Sequence, residues 1–383
     1  MKHLAMTAGV LVVIGSTLPS AQIPASCLSF KPAVQIETGL FASGVVIEDF
    51  DGDGLPDLVV TNQNANTVSV LLGDGTGAFD RKTDFPTSGP PQRIAAADLD
   101  GDGKLDLVLP ITAGNALVVL YGDGRGGFAE PGSLPVTGGP FMPVVADFNA
   151  DGRLDVAVST QIAGSRRVAL LVGKGSRSFD EPVYYGSFGS TPTALGAGDF
   201  NRDGKLDLAA GGGVNEPPDT NNLSILIGDG RGGFSAPTYF TVGTAPQSMS
   251  IADYNGDGFA DIAISNSLPM ATNSTVSVLF GDGRGRFSER LPLEIGILGR
   301  GTGAADFNRD GSLDLVVANS GSNSVSVLLG DGKGHFAAKV DFPVGTNPRK
   351  LAVGDLNRDG KPDIVTPNTG SNDISILINS CVR

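Results

Sequence analysis

Apolar residues along this chain occur in short runs that recur at a regular interval. One interval contains the runs RIAAADL, LDLVLP, ALVVLYG and GFAEPGSLPV, separated by clusters of Gly, Asp and Pro. Short runs rich in β-branched residues between turn formers are typical of β-strands, and no run has the length and period of a helix. The pattern therefore predicts four strands in each interval and an all-β protein.

A nine-residue acidic loop follows the first strand of each interval. The first copy is DFDGDGLPD, and DLDGDGKLD, DFNADGRLD, DFNRDGKLD, DYNGDGFAD, DFNRDGSLD and DLNRDGKPD follow at steps of 49, 49, 52, 54, 53 and 49 residues. Seven copies at nearly constant spacing define a repeat that fills almost the whole chain. We therefore expect one closed architecture rather than several independent domains.

A second motif, LLGDGTGAF in its first copy, keeps the same interval. Its six copies end at Phe79, Phe128, Phe179, Phe234, Phe287 and Phe336. The glycines permit the positive φ angles of a tight hairpin, so the motif is predicted to be the turn between the third and fourth strands. The third copy, LVGKGSRSF, departs from the others because Lys174 replaces the turn aspartate.

Seven units of about 50 residues with four strands each match the blades of a β-propeller. Closure into a ring leaves no free sheet edge. The predicted fold is an all-β, seven-bladed β-propeller of four-stranded blades that forms a single domain over residues 22–383. The predicted blades cover approximately residues 41–90, 91–139, 140–190, 191–244, 245–297, 298–346, and 347–381 together with 27–40.

The two ends of the chain complete each other in this register. Each motif phenylalanine precedes the next acidic loop by 19 or 20 residues, and Phe30 precedes Asp49 by 19. Phe30 therefore begins the fourth strand of a blade whose first three strands are at the other end of the chain. There, ISILIN, residues 374–379, corresponds to VSVLLG of the first unit. The last blade is predicted to combine three C-terminal strands with one N-terminal strand.

The two cysteines, Cys27 and Cys381, fall at adjacent positions of this composite hairpin, so a disulfide between them is predicted. A rival hypothesis makes Cys27 a lipid-modified N-terminus, since PASC loosely resembles a lipoprotein cleavage site. Pro24 stands where that site has an aliphatic residue, and this departure favours the disulfide.

Residues 1–21 are predicted to be a signal peptide. Lys2 precedes an apolar run from Leu4 to Ile14, and Ser20 and Ala21 supply small residues for cleavage. The run is too short to cross a bilayer, and no later run reaches the required length of about 20 apolar residues. We therefore expect a secreted or extracytoplasmic protein, with or without cell-surface association, and no transmembrane segment.

The acidic loops and hairpin motifs together resemble the FG-GAP/VCBS repeats of integrin-α-like β-propellers. The resemblance rests on the seven loops and the six LLGDGxGxF-like turns, and it covers roughly residues 28–380. It implies the same propeller fold. Proteins with such repeats include adhesion receptors, lectins and some polysaccharide lyases, so the fold alone does not choose a function.

The spacing of the carboxylates indicates a cation. Oxygen ligands at positions 1, 3, 5, 7 and 9 suit Ca²⁺, with position 7 donating its backbone carbonyl and glycine at position 6 permitting the turn. An EF-hand is excluded because position 12 lacks the required Glu, and Mg²⁺ is disfavoured because such a cage suits the larger ion. The predicted ligands of up to seven Ca²⁺ ions are Asp49, Asp51, Asp53, Leu55, Asp57, Asp98, Asp100, Asp102, Lys104, Asp106, Asp147, Asn149, Asp151, Arg153, Asp155, Asp199, Asn201, Asp203, Lys205, Asp207, Asp253, Asn255, Asp257, Phe259, Asp261, Asp306, Asn308, Asp310, Ser312, Asp314, Asp355, Asn357, Asp359, Lys361 and Asp363.

Seven copies with the same spacing support the cation hypothesis over the alternative that the loops are plain Asp-Gly turns. The formal net charge is −14, and 23 of the 41 acidic residues lie in the seven loops, where seven divalent cations would offset it. The acidity therefore does not indicate mimicry of nucleic acid, and no nucleic-acid partner is expected. Loops three to seven have Asn at position 3, so we expect them to bind more weakly than the first two.

Catalytic side chains are scarce. His3 lies in the predicted signal peptide, His335 lies in a hairpin turn, and no Ser, His and Asp grouping is visible, although carboxylate- or lysine-based catalysis stays open. The main hypothesis is a secreted, monomeric, calcium-binding module for binding or adhesion to an extracellular protein or acidic glycan. The alternatives are a lectin, against which the absence of Trp counts, and a polysaccharide-degrading enzyme of the lyase type.

A ligand site is predicted at the end of the central channel opposite the acidic loops. The segments that lead into the innermost strands supply four cationic residues there, and on an acidic protein these residues suggest a site for an anionic group. The candidates are Gln92, Arg93, Phe141, Gln247, Arg300, Arg349 and Lys350, with Thr193 at a corresponding position and Asn215, Glu216, Asp219, Asn221 and Asn222 in the longest loop. The alternative is that these are solvated side chains at strand starts.

Overall fold

The computed structural model describes residues 27–129, 131–161, 166–186, 192–212, 223–267, 274–288 and 292–382. These residues form seven antiparallel sheets arranged around an axis, and they include no helix. The predicted all-β, seven-bladed propeller is therefore confirmed. Within the same ranges there is no long apolar helix of the kind that crosses a bilayer. The predicted signal peptide lies outside the described residues.

Each blade is an antiparallel meander, and the first strands of neighbouring blades contact one another around the axis. The first strand of the described residues, β1 (Val34–Glu37), belongs to the seventh blade. Blade one contains β2 (Ala42–Glu48), β3 (Asp57–Asn62), β4 (Thr67–Leu72) and β5 (Arg81–Pro86). Blade two contains β6 (Ala95–Ala97), β7 (Asp106–Ile111), β8 (Ala116–Leu120) and β9 (Gly132–Pro135). Blade three contains β10 (Pro140–Ala146), β11 (Asp155–Thr160), β12 (Val168–Leu171), the hairpin β13 (Gly173–Gly175) and β14 (Ser178–Phe179), and β15 (Val183–Tyr185).

The remaining blades repeat the pattern, with one additional short strand in blade five. Blade four contains β16 (Pro192–Gly198), β17 (Asp207–Gly212), β18 (Leu223–Leu226) and β19 (Thr238–Phe240). Blade five contains β20 (Pro246–Ala252), β21 (Asp261–Asn266), β22 (Ser274–Gly281), β23 (Phe287–Ser288) and β24 (Leu293–Ile295), and blade six contains β25 (Gly299–Ala305), β26 (Asp314–Asn319), β27 (Ser324–Leu328) and β28 (Val340–Pro343). Blade seven contains β29 (Ala352–Gly354), β30 (Asp363–Asn368) and β31 (Asp373–Leu377).

The hydrophobic core lies between neighbouring blades. Val59 and Val68 of blade one share a buried cluster with Leu107 and Leu109 of blade two. The second strand of every blade is buried along its length, as expected for a strand covered on both faces. The core therefore stabilises each blade mainly through contacts with the next blade.

Aromatic side chains join successive blades at their acidic loops. The motif residue Phe128 packs edge-on against Phe50 and Phe85 of the preceding blade, with ring centroids 6.2 and 5.4 Å apart. Phe30 makes the equivalent contacts with Phe307 and Phe342, at 5.8 and 4.9 Å. Phe30 is therefore the motif phenylalanine of the seventh blade, as the residue count predicted.

Strand β1 closes the ring by pairing with β31. Val34 pairs with Ile376, and Phe30 forms an isolated bridge with Asn379. The predicted disulfide is present, with the Cα atoms of Cys27 and Cys381 5.4 Å apart. The sulfur of Cys27 is thus engaged in a bond that excludes a lipid on the same atom.

A register shift near the start of several inner strands changes which residues reach the channel. In β20 the shift falls between Pro246 and Ser248, and in β25 it falls between Gly299 and Gly301. A bulge leaves one residue out of the alternation of a strand and re-aims its neighbours. At Gly301 a Cβ would meet the backbone of the seventh blade at 2.9–3.0 Å, so only glycine permits this close approach.

Candidate functional site

The acidic loops are shaped by hydrogen bonds from their own backbone to their carboxylates. In the first loop, Gly52 N and Gly54 N donate to Asp49 Oδ1 and Oδ2 at 2.7 and 2.9 Å. Both glycines have positive φ, 77° and 81°, which other residues rarely adopt. Leu55 N donates to Asp53 Oδ1 at 2.8 Å. The loop therefore folds around its first carboxylate.

Three carboxylates converge in each of the first two loops. One oxygen from each of Asp49, Asp51 and Asp57 lies within 4.8 Å of the others. The equivalent group in the second loop is Asp98, Asp100 and Asp106. Three negative charges this close repel one another unless a cation lies among them, and oxygen ligands are those that hard divalent cations prefer. Positions 1, 3 and 9 of these loops therefore fit a divalent cation.

The carboxylate at position 9 also has a structural role that the sequence did not reveal. Asp57 is fully buried, and its two oxygens accept hydrogen bonds from Phe50 N at 2.9 Å and Gly73 N at 2.8 Å. Gly73 is the first glycine of the hairpin motif, so Asp57 ties the acidic loop to that turn. Corresponding pairs of bonds are made by Asp106, Asp155, Asp207, Asp261, Asp314 and Asp363.

Burial raises the pKa of the position-9 carboxyl groups. Desolvation raises the pKa of Asp57 to about 6, and the charges of Asp51 and Asp53 add to the increase, although the two backbone N–H groups oppose it. The same causes raise the pKa of Asp314 to about 7. A bound cation would favour the charged form of these groups.

Loops three to seven replace the carboxylate at position 3 by an amide. Asn149 Oδ1 accepts a hydrogen bond from Asp151 N at 3.0 Å, so the loop keeps its shape. In the sixth loop, Asn308 Nδ2 donates to Asp310 Oδ2 at 2.8 Å. Similar amide bonds occur in the fifth and seventh loops. The amide N–H of these three loops therefore donates to the carboxylate at position 5 of the same loop.

The second loop contains a cation supplied by the protein itself. Arg177, in the hairpin motif of blade three, places Nε 2.8 Å from Asp100 Oδ2. Its guanidinium carbon also lies 4.3 Å from the ring centroid of Tyr121. In the first loop, Arg81 approaches Asp51 only to 4.0 Å and is largely exposed. The two loops with four aspartates are therefore electrostatically different.

The structure brings the four predicted cations Arg93, Arg300, Arg349 and Lys350, here called the channel-end cations, to the same end of the channel. Arg300 Nη1 donates to Gln247 Oε1 at 2.8 Å. Burial and the charges of Arg349 and Arg300 lower the pKa of Arg93 to about 9. Within the described ranges, none of the four forms an ion pair with a carboxylate.

Aromatic rings and backbone groups hold the other members of the predicted ligand set. The guanidinium carbon of Arg93 lies 4.6 Å from the ring centroid of Phe141. Gln92 contributes its backbone oxygen, which accepts a hydrogen bond from Ser43 Oγ at 3.2 Å. Thr193 Oγ1 donates to the backbone oxygen of Pro246 at 2.5 Å. The ring of Phe41, which the sequence analysis did not single out, lies 5.0 Å from the guanidinium carbon of Arg349. The polar residues predicted in the longest loop, 213–222, lie outside the described residues.

Ser248 and Thr302 are channel residues that the sequence analysis missed. Ser248 Oγ lies 3.1 Å from both Lys350 Nζ and Thr302 Oγ1. Ser248 stands five residues before its acidic loop, the register position that Arg93 and Lys350 also occupy. Register alone was therefore a usable signal for Ser248. His335 lies in an exposed turn, with Nδ1 3.0 Å from Asp331 Oδ2.

The fold and its loops define a class, the β-propellers built from repeats with an acidic loop after the innermost strand. The family model for the FG-GAP-like repeat matches residues 49–109, 111–158, 213–264 and 306–366, together more than half of the chain. The chain therefore belongs to the FG-GAP-like repeat family, as the resemblance implied.

Solved structures with the same architecture are distant in sequence. The chain is similar to a functionally unknown protein from Desulfotomaculum acetoxidans DSM 771, with a TM-score of 0.55, 12% identity, and coverage of 84% of this chain and 94% of that chain. It is also similar to the V. cholerae biofilm matrix protein Bap1, with a TM-score of 0.48, 12% identity, and coverage of 92% and 91%. Curated protein sequences give no match. At 12% identity the first of these similarities supports the fold alone.

Proposed function

We propose that the protein is an exported, calcium-stabilised binding module that attaches to an anionic group of an acidic glycan or extracellular protein. The covalent link between the chain ends supports an oxidising, extracytoplasmic location, where disulfides persist. The cation in the loops is proposed to be Ca²⁺, because flexible loops of carboxylate and carbonyl oxygens suit that ion.

One observation carries the binding function. Four cations lie together at the end of the channel opposite the acidic loops, and no described carboxylate forms an ion pair with them. Grouping like charges in a partly buried place lowers stability, and a bound anion would relieve that repulsion. A surface that merely keeps a protein soluble has no need of such a cluster.

The acidic loops are proposed to stabilise the ring rather than to contact the partner. They follow the innermost strands, whereas the channel-end cations lie at or just before the starts of those strands, so the two sets lie at opposite ends of the channel. Calcium removal is therefore expected to lower thermal stability, and to weaken partner binding only as far as the fold loosens.

The test replaces Arg300, Arg349 and Lys350 together by Gln and measures binding to a panel of acidic polysaccharides and acidic extracellular proteins. The triple variant is expected to lose binding and to keep its calcium-dependent melting temperature. The charge-matched control replaces the exposed hairpin residues Arg125, Arg231 and Arg284 by Gln and should bind normally. Undiminished binding by the channel variant would reject this surface. A lyase assay on the same polysaccharides separates binding from degradation.

A further inference from the structure

A small cavity lies on the propeller axis beneath the channel-end cations. Its volume is about 90 Å³, and six of the seven blades contribute to its wall. The lining residues are Gly44, Val45, Arg93, Ile94, Met142, Ser248, Met249, Thr302, Lys350 and Leu351. A cavity needs about 10 to 15 Å³ of such space to hold one water molecule, so this one has room for a small anionic group.

Two cationic side chains of this cavity have no counter-charge among the described residues, although Arg93 Nη1 donates to Gln92 O at 3.2 Å. Arg93 Nε is buried and has no hydrogen-bond partner among the described residues. Lys350 Nζ has Ser248 Oγ at 3.1 Å, and the described residues offer it no carboxylate. Burial lowers the pKa of Lys350 well below its usual value, and the charge of Arg93 lowers it further. A buried charge without a counter-charge is costly, so the site favours an anion.

The rest of the wall restricts the kind of anion. Ile94, Met142 and Met249 are apolar, which disfavours strongly hydrated, doubly charged ions. Ser248 and Thr302 supply hydroxyl groups beside Lys350. A guanidinium is planar and matches a planar carboxylate through parallel N–H···O bonds. Charge and shape therefore favour a singly charged, planar group, and the volume has room for one.

We propose that this axial cavity binds one carboxylate group, with Arg93 and Lys350 as its counter-charges and Ser248, which accepts a hydrogen bond from Thr302 Oγ1, as the hydroxyl donor. The proposal rests on the proposed function, because it identifies the anionic group of the partner as a carboxylate. The group enters from the end of the channel that carries Arg300 and Arg349. A carboxylate of a uronic acid and a free small carboxylate share this chemistry.

The test titrates the whole protein with sodium acetate by isothermal calorimetry, at constant ionic strength set with sodium chloride. One acetate is expected to bind per chain, and sodium sulfate is expected to bind at least tenfold more weakly. Arg93→Met and Lys350→Met should each weaken acetate binding at least tenfold. The control Arg284→Gln, an exposed hairpin residue, should leave it unchanged. Absence of acetate binding, or equal binding by Lys350→Met, would overturn the proposal.

Two further arms keep the result unambiguous. Ser248→Ala removes one hydroxyl, and with it the described partner of Lys350 Nζ, but keeps both cations, so it tests the site if either methionine variant fails to fold. An unchanged affinity for acetate in that variant would count against the site. A digalacturonate titration then separates sources: tighter binding than acetate places the carboxylate on a saccharide, and binding of acetate alone assigns the cavity to free carboxylates. If acetate fails but acidic polysaccharides still bind through Arg300 and Arg349, the cavity proposal falls and the proposed function stands.

Discussion

Arg177 Nε lies 2.8 Å from Asp100 Oδ2, across the junction between the third and second blades. Another copy of the hairpin motif has Gly126 at the place of Arg177, and Gly126 N donates to Phe50 O of the preceding loop at 3.0 Å. Hairpins therefore dock on the acidic loop of the preceding blade. At one junction the glycine is replaced by a cation that reaches the carboxylates.

Replacing Arg177 by Gly is expected to tighten calcium binding at the second loop roughly tenfold or more. A unit charge about 4 Å from another costs about 1 to 4 kcal/mol, depending on how exposed the pair is. Isothermal calorimetry should find one ion in the tightest class of sites in the wild-type protein and two in the variant. Arg81→Gly, at the more distant contact with Asp51, serves as the control and should have a smaller effect. Equal calcium binding in wild type and Arg177→Gly would contradict the assignment.

Asp57→Asn is expected to destabilise the protein by about 1 to 3 kcal/mol even in chelator. An amide has one oxygen, so Phe50 N or Gly73 N would lose its buried acceptor. The matched control is Asp53→Asn, which keeps an oxygen for Leu55 N and should lower calcium affinity alone. Urea denaturation in chelator measures the difference. If the two variants are equally stable there, position 9 is a metal ligand without the structural role.

The calcium-free protein is expected to become more stable as the pH falls from 7.5 to 5.5. The pKa of Asp57 is raised to about 6 and that of Asp261 to about 7 by burial, against about 3.9 in an unfolded chain. The folded state therefore binds protons more tightly, and the stability this contributes is complete below about pH 4 and is lost as the pH rises through 6 to 7.

Melting temperatures measured in chelator at several pH values check this sign. In saturating calcium the rise towards pH 5.5 should shrink or reverse, because the cation favours the charged carboxylates and competes with protons. A melting temperature in chelator that falls steadily from pH 7.5 to 5.5 would be incompatible with the raised pKa values.

Removal of the disulfide through Cys27→Ser with Cys381→Ser should lower stability while the propeller still forms. The chain-entropy model gives up to about 5 kcal/mol for so long a loop. The pairing of β1 with β31 remains, so the ring should close without the bond. Chemical denaturation and limited proteolysis near residues 27–37 compare three samples. These are the double-serine variant, the oxidised wild type and, as the control, the reduced wild type. Equal midpoints for all three samples would show that the bond adds nothing to closure.

The sequence predicted the features that repeat. The interval between acidic loops defined seven blades, and the spacing from Phe30 to Asp49 placed Phe30 correctly in the last blade, because register is conserved wherever the same turn closes the same strands. The pairing of Cys27 with Cys381 followed from that register.

The contacts between blades were beyond the sequence. The contact from Arg177 to Asp100 joins residues of neighbouring blades, and their distance depends on how the ring curves. The bulge before Ser248 likewise breaks the strict alternation on which sequence patterns rely. The contact between blades and the bulge leave no signature in the sequence of one repeat, because a sequence pattern describes each copy without its neighbour.

Glu37 of the N-terminal strand pairs with Asp373, more than 330 residues further along the chain. The strand made first is therefore among the last to find its partner. At a synthesis rate of about 5 to 20 residues per second, the delay is on the order of 20 to 70 s. During that time the flank of the first blade and the ring of Phe30 lack their final contacts and are open to association with other chains. The yield of folded protein is thus expected to depend on how quickly the last blade is completed, and less on the stability of the finished ring.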